Sequence, residues 1–577
     1  MKTKSNPFLR LSAIALLGFT FVMSSAQATP LYWDSNGTTA GAGTTPTGTW
    51  GTSNFWSTDS TGVANAFQTT TTASDDLQLV AGPAPGTSGS SNFSVTVSGT
   101  QAANKITFLC PTGSPTLTGG TINLGAGGIT VPRYYTGTTD NANRPDIVST
   151  LNLTADQTWT IDNLTNNSSL LIDGNITGTG NITEYTSQGN GAARLSFQQG
   201  SSAGWTGALT VNGGGVYFGN SQQMVTRLNS STLTLKNGGT TATGVSVGLD
   251  LGSVTNFTNN IAFSNTGSNG YAFGQGLGGG FSGAAVLLSG TISGVTNGGQ
   301  VLFSTGTNVD FSGVGQQGQW RISGNNTGWT STRTGDAVYI RSGYLYLDSA
   351  NAIGTNNSLS VQVGQGNGGG QCAAGLFASN GITVTSRIQT TTNAKAGALT
   401  GEAYVGLDGT GAATFSSAIA LQNVNLLPGA SGNNLHLRAQ TGGTVTFSGN
   451  FSDSAAVTTW SDPVIVDGTG TVVMTGSSLY YGNTIVNAGT LKLDFSARAG
   501  ATNVINSTAN RSALVLGGGT LNLTGKASTT NSQQFNGTTL NAGSSGISLT
   551  ANATANPLLL TLGTLTRNAA AAVDFTL

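Results

Sequence analysis

Apolar residues alternate with Thr, Ser and Asn in short runs along almost the whole chain. Examples are Phe93–Val97 (FSVTV), Thr116–Leu124 (TLTGGTINL), Ser149–Leu153 (STLNL), Thr232–Leu235 (TLTL), Val245–Leu251 (VSVGLDL), Gly381–Val384 (GITV), Thr444–Phe447 (TVTF) and Ser512–Leu516 (SALVL). A period of two sends one set of side chains inward and the other into water, so these runs predict half-buried strands. Asn-Gly, Asp-Gly and Gly-Gly signals separate them and predict tight turns. The pattern persists without a helical break, which favours a solenoid over separate sandwiches or barrels.

Three stretches resemble one another: 195–218 (LSFQQGSSAGWTGALTVNGGGVYF), 320–347 (WRISGNNTGWTSTRTGDAVYIRSGYLYL) and 472–493 (VVMTGSSLYYGNTIVNAGTLKL), the last extended upstream to 464 by an Asp-Gly lead. Each has a strand, a Gly with small polar residues, an aromatic (Trp205, Trp329 or Tyr480), a second strand, a Gly (Gly215, Gly343 or Gly489) and a third strand. A unit of this size cannot bury its own apolar face, but stacked units build a continuous narrow core. The expected fold is all-β: a right-handed, single-stranded parallel β-helix. The aromatics are expected to stack at one corner, with the glycines supplying its tight backbone. At roughly 22 residues per coil and about 4.8 Å between strands, about 25 coils would form a rod on the order of 120 Å long.

Composition fits this reading. Of 577 residues 87 are Gly, and only 7% are charged against 37% apolar. A disordered chain carries more charge and less Val, Ile and Leu. A helical one needs charged residues on its wet face, and this chain has few. The net charge of −1 argues against nucleic-acid binding, which needs clustered Lys and Arg to neutralise phosphates. The two cysteines, Cys110 and Cys372, are no disulfide framework; at the expected coil spacing they stand on the order of 55 Å apart and unbonded. At the N-terminus, Lys2, Lys4 and Arg10 precede the apolar run Leu11–Met23 and the small-residue site Ala26-Gln27-Ala28. This predicts a signal peptide over 1–28 and an exported mature chain without a membrane-spanning helix.

The unit GTVVMTGSSLYYGNTIVNAGTLKL resembles the autotransporter-associated β-strand repeat of passenger domains. The resemblance rests on Val472–Met474, Gly476-Ser477-Ser478, Tyr480-Tyr481-Gly482 and Asn487-Ala488-Gly489-Thr490-Leu491. It is looser around Trp205 and Trp329. Residues 512–577 and the N-terminal Trp33-Asp34, Gly48-Thr49-Trp50 and Asn54-Phe55-Trp56 are also similar to chains of this type. The resemblance implies a pectin-lyase-like β-helix over 93–577, behind an N-terminal capping region at 29–92. It also implies export and a structural, adhesive or display role at the cell surface or outer membrane. A surface polysaccharide, or another cell-surface or matrix protein, is the expected kind of partner. No translocator barrel is visible, and the chain reaches Leu577 inside a strand-like run, so further coils or a translocator are expected beyond it.

Candidate chemistry is sparse. His436, the single histidine, lies in Leu435-His436-Leu437 and is read as a solvated outward strand residue. No cofactor or metal set is expected, since zinc sites need several His or Cys ligands. Asp156, Asp162, Asp173 and Glu184 are the densest internal acids; Asp162 and Asp173 are read as turn residues. The glycine-rich pieces 276–282 and Gly364–Gly370 lack the Lys and helix of a phosphate loop, and the first lacks the Asp of a Ca²⁺-binding repeat. Trp33, Trp50 and Trp56 are read as a cap packed on the first coil, the alternative being a sugar-stacking platform. The leading expectation is a non-enzymatic surface rod. The alternatives are a polysaccharide-acting β-helix enzyme, which needs several acids and an Arg in one groove, and a non-catalytic carbohydrate-binding protein.

Overall fold

A computed structural model describes residues 28–577, leaving out 65–66, 81–91, 111–112, 134, 137–138, 141–143, 163–169, 187–192, 199–203, 220–227, 229–230, 238–246, 252–253, 266–269, 275–284, 304–318, 342, 365–372, 391–401, 422–433, 454–462, 508–511 and 553–555. The expected signal peptide, Cys372 and most of both glycine-rich pieces therefore lie outside the described residues.

The chain is a parallel β-helix. Each coil crosses three faces in the same order, and strands of successive coils pair in parallel. The first face includes Asp146–Ile147, Leu170–Ile172 and Arg194–Phe197, and continues to Ser478–Leu479. The second carries Thr150–Leu153 early, and later a twelve-stranded sheet from Asn256–Phe257 to Leu565–Arg567. The third runs from Gln157–Ile161 to Trp329–Thr330, then through an eight-stranded sheet ending at Ala571–Thr576. One strand, Thr116–Val131, bends around the corners and pairs with a strand on each face. Gly119 and Gly128 supply its bends with φ of 76° and 66°, a region that side chains with a Cβ rarely enter.

Alternation fills the interior. On the second face Leu345, Leu347, Leu376, Val405, Leu407, Leu435, Leu437, Val464 and Val466 are each at most 1% exposed. Burying one such side chain stabilises by roughly 1.5–3 kcal/mol, and the stack repeats the gain coil after coil.

The coils are longer than the sequence reading expects. Register partners are separated by 19 residues at Thr471↔Thr490 and by 37 at Val301↔Val338. Twelve strands of the second face span Asn256 to Arg567, roughly 28 residues per coil. The 22-residue coil, and with it the 25-coil rod of about 120 Å, is corrected accordingly. Extra loop length between strands costs little closure entropy, so coil length varies while the strands stay in register.

The three similar stretches are each one coil, but they begin on different faces. Arg194↔Gly215 closes a turn on the first face, Gln319↔Tyr344 on the second and Thr471↔Thr490 on the third. Trp205, Trp329 and Tyr480 are all buried, yet Trp205 pairs with Gly178 on the second face, Trp329 with Gly294 on the third, and Tyr480 follows the first-face strand Ser478–Leu479. The expected single aromatic corner is thus wrong: with three similar corners per coil, one local signature serves at any of them. Gly343 and Gly489 have the expected left-handed backbone, φ 82° and 62°. At Gly215 the role falls to Gly213 and Gly214, φ 95° and 72°. Gly482 is buried just after Tyr480 and Tyr481, and Asn487 is an exposed residue whose N–H donates to the Val466 carbonyl at 2.9 Å.

Before the first complete coils, Trp33, Trp50 and Trp56 are fully buried edge-to-face, with ring centroids 4.9 Å apart for Trp33–Trp56 and 5.4 Å for Trp50–Trp56. Trp33 pairs antiparallel with Trp56, a break from the parallel rule. This is an indole box packed at the start of the solenoid, and it offers no exposed sugar platform. Cys110 is buried, its thiol donating to the Leu79 carbonyl at 3.3 Å.

Candidate functional site: an aromatic and charged ladder on the second face

Outward positions of the second face form two columns through successive coils. Gln319, Tyr344, Gly375, Tyr404 and His436 stand in one; Arg321, Tyr346, Phe377, Gly406 and Arg438 stand in the other. The rings meet across these columns: Tyr346 stacks on Phe377 at 5.4 Å, and Tyr344 meets Phe377 at 5.8 Å and Tyr404 at 6.1 Å edge-on. Gly375 makes this possible, because a Cβ there would lie 2.8 Å from the Tyr344 ring, 2.9 Å from Phe377 and 3.0 Å from Tyr404. Tyr344, Tyr346 and Tyr404 are half-buried. Burial, and then the nearby acids Asp408 and Glu402 respectively, pushes the Tyr346 and Tyr404 phenols up to about 12, so both stay neutral donors.

Charged clusters flank the rings on two sides. Arg321 lies over Tyr346 at 4.7 Å. Its guanidinium donates to Asp348 through two bonds of 2.7 and 2.8 Å and to Asp408 at 2.8 Å. Burial alone would lower the Arg321 pKa, but the hydrogen bonds and charges of Asp348 and Asp408 outweigh it and hold the proton firmly.

His436 stacks on Tyr404, centroids 4.5 Å apart and 23° from parallel. Its Nδ1 lies 2.6 Å from Asp467 Oδ2, and its Nε2 contacts Glu402 Oε2. Asn434 donates to the other Glu402 oxygen at 2.9 Å. Burial lowers the imidazole pKa, but the bonds and charges of Asp467 and Glu402 outweigh it and the net shift is upward. The expected solvated residue is thus outward-facing but largely covered, with 12% of its side chain exposed. Both ring nitrogens are committed to carboxylates, so neither is left to act as the base of a Ser–His–Asp arrangement.

The four acids singled out by density are not brought together. Asp156 is exposed and accepts from the Asn181 N–H at 2.9 Å, Asp162 accepts from Thr186 at 3.2 Å, and Asp173 sits at a corner with its N–H on the Ile147 carbonyl. Glu184 points into the core, fully buried between the inward residues Trp159 and Val211. Burial pushes its carboxyl well up; the Gly215 amide opposes this, but it donates to the Ala193 carbonyl at 2.9 Å. Among the described residues no group of three or more His, Cys, Asp or Glu is placed to hold a metal, and no helix is long and apolar enough to cross a membrane.

Sequence reasoning missed the ladder itself. Its one local signal is the alternating aromatic pair in Gly343–Leu347 (GYLYL); Phe377, Tyr404 and His436 join it only through the register of later coils. Compared with protein-family models, with curated proteins and with solved structures, the chain has no match.

Proposed function

We propose that the chain is an exported, non-catalytic β-helix rod with an adhesive or structural role at the cell surface, holding polysaccharide on its second face. The observation that supports this is the contiguous ladder of Tyr344, Tyr346, Phe377 and Tyr404, flanked by Arg321 and His436, each held between two carboxylates. Flat aromatic faces suit the C–H faces of sugar rings. Neutral phenols and the rim of Arg321, Asn434 and Glu402 suit sugar hydroxyls, the usual division between apolar walls and a few orienting polar groups. The apolar run before Ala28 and the resemblance to autotransporter-associated repeats support export and surface display.

A polysaccharide-acting enzyme has one observation in its favour: Asp348, Asp408, Glu402 and Asp467 share this face with Arg321. Glycoside hydrolysis needs two carboxyl groups flanking the scissile bond. Here Arg321 lies between Asp348 and Asp408, and His436 between Glu402 and Asp467. That geometry supports a binding face over a hydrolytic one.

The test is retention of the purified chain on immobilised polysaccharides, with soluble products assayed in parallel. Retention that is lost in Tyr344→Ala and Tyr404→Ala, while circular dichroism is unchanged, and without sugar release, is the expected result. Release of reducing or unsaturated sugar transfers the case to the enzyme. Equal retention of both variants removes the ladder from the reading.

A further inference from the structure

From Phe495 to Val573 the sequence carries no Asp or Glu, and its charged residues are Arg498, Arg511, Lys526 and Arg567. The whole chain has a net charge of −1, so this stretch is cationic against a net-negative remainder. The fold gathers two of the four. Ser477, Arg498 and Lys526 follow the third-face strands Thr471–Met474, Thr490–Asp494 and Thr520–Thr524, so they stand at one corner of three successive coils.

Arg498 Nη2 donates to Ser477 Oγ at 3.0 Å, and Lys526 Nζ donates to the Arg498 carbonyl at 2.9 Å. The guanidinium lies over the Phe495 ring at 5.7 Å and is folded against its own turn, where a Cβ at Gly500 would stand 3.0 Å from Nη2. Its Nη1 is buried with no hydrogen-bond partner. The Ser477 hydroxyl accepts from Arg498 and keeps its own proton to donate, and the Lys526 ammonium keeps two of its three. Among the described residues neither cation has an ion pair. Asp494, the nearest acid in sequence, is held by Lys492 at 2.9 Å and by the Ser496 amide and hydroxyl.

Arg321 differs. It is also half-buried, but two carboxylates offset its desolvation, whereas burial lowers the Arg498 pKa with no acid opposing it. A buried cationic donor without an acceptor is costly. Ser496, Ala497, Ala499 and Gly500 around it are exposed, so the unanswered donors lie just beneath a surface turn.

We propose that this corner binds a phosphate- or sulfate-type oxyanion, held by Arg498, Lys526 and the Ser477 hydroxyl. A guanidinium, an ammonium and a hydroxyl arriving from three coils offer donors in different directions, which fits a compact anion with several oxygens better than a planar carboxylate. The net-negative remainder of the chain repels such groups and leaves these coils as the place for them.

Calorimetric titration of the full chain with sodium sulfate and sodium phosphate, at ionic strength held constant with NaCl, tests this. Saturable binding is expected, with affinity falling roughly tenfold or more in Arg498→Gln, the equivalent of one charge-assisted hydrogen bond, and less steeply in Lys526→Gln. Arg567→Gln removes the same charge from the second face and is expected to bind as the parent does. Far-UV circular dichroism reports whether each variant folds. Folded Arg498→Gln binding as tightly as the parent, an equal loss in Arg567→Gln, or acetate binding as tightly as sulfate overturns the site. Should Arg498→Gln fail to fold, Lys526→Gln decides, and unchanged affinity there overturns the site. Columns of dextran sulfate and plain dextran identify the source. Retention on the sulfated matrix alone, lost in Arg498→Gln, upholds the site with an ester on a polymer as its ligand, and binding of the free ions without such retention upholds it with a soluble oxyanion.

Discussion

On the third face of the N-terminal half, Thr158, Thr183, Thr210 and Thr234 stand in register in four successive coils. On the second face further along, Tyr344, Gly375, Tyr404 and His436 do the same. The backbone, the pairing and the strand spacing are alike. Behind the aromatic column every inward residue is aliphatic or Trp320; behind the threonines the inward row is Trp159, Glu184, Val211 and Leu235. The core thus constrains one side of each strand and leaves the other open to chemistry. The threonine column presents a neutral wet wall, and the aromatic column presents rings with paired charges.

The sharpest way to break this contrast is from inside. Trp320 is buried behind the ladder, its ring 5.9 Å from Phe273 and 5.7 Å from Phe303. Trp320→Ala is expected to cost about 3–5 kcal/mol. In a solenoid the loss is borne mainly by the altered coil and its neighbours. Hydrogen exchange should accelerate around residues 271–347 and remain unchanged near the indole box. Uniform acceleration along the chain would mean that the coils do not stack as quasi-independent units.

Glu184 is the exception inside the threonine half, and its effect is expected to be smaller. Its carboxyl is held well above the ordinary value of 4.5 by burial. The neutral acid therefore supports the fold fully below about pH 4.5, and that support is lost as pH rises through the folded value. Glu184→Gln, which keeps the shape without the charge, should raise stability at pH 7 by on the order of 1–3 kcal/mol. The gap should close on acidification toward pH 4. A variant less stable than the parent at pH 7 would mean that the charge is retained and answered within the core.

The alternating runs and their turn residues predict a parallel stack, and the structure has one, because a period of two and a glycine corner are local properties. Coil length is not local: it depends on loop lengths that closure entropy barely restricts, so the 22-residue estimate fails while the strands stand. Sequence similarity finds one coil each at Trp205, Trp329 and Tyr480 but cannot say which face each begins on. The same blindness hides the ladder. Tyr404 and His436 are 32 residues apart and become neighbours only through the register Tyr404↔His436, and Glu402 and Asp467 reach the imidazole from the coils on either side. In the indole box, tryptophan size alone argues for burial.

The imidazole bridge separates the two columns by pH. The net upward shift of His436, in which Asp467 and Glu402 outweigh burial, makes its stabilisation full below about pH 6.5, the ordinary histidine value, and has it fade as pH rises through the folded value. Melting curves of the parent and His436→Gln should differ most near pH 6 and converge at higher pH. A difference independent of pH would assign His436 to ring stacking on Tyr404 alone.

The smallest effect is expected on the threonine column, and it sharpens the contrast most. Thr210 faces outward and is half-buried, its neighbours in register being Thr183 and Thr234. Its strand pairing runs through the backbone, and removing its hydroxyl and methyl opens no internal cavity. Thr210→Ala should therefore change stability by no more than about 0.5 kcal/mol, as for surface sites away from special features, and leave polysaccharide retention as it was. A cost above about 1 kcal/mol in denaturant melts would show that cross-coil threonine contacts help hold the stack. The two columns would then differ in what they bind but not in how far their outer side chains support the fold.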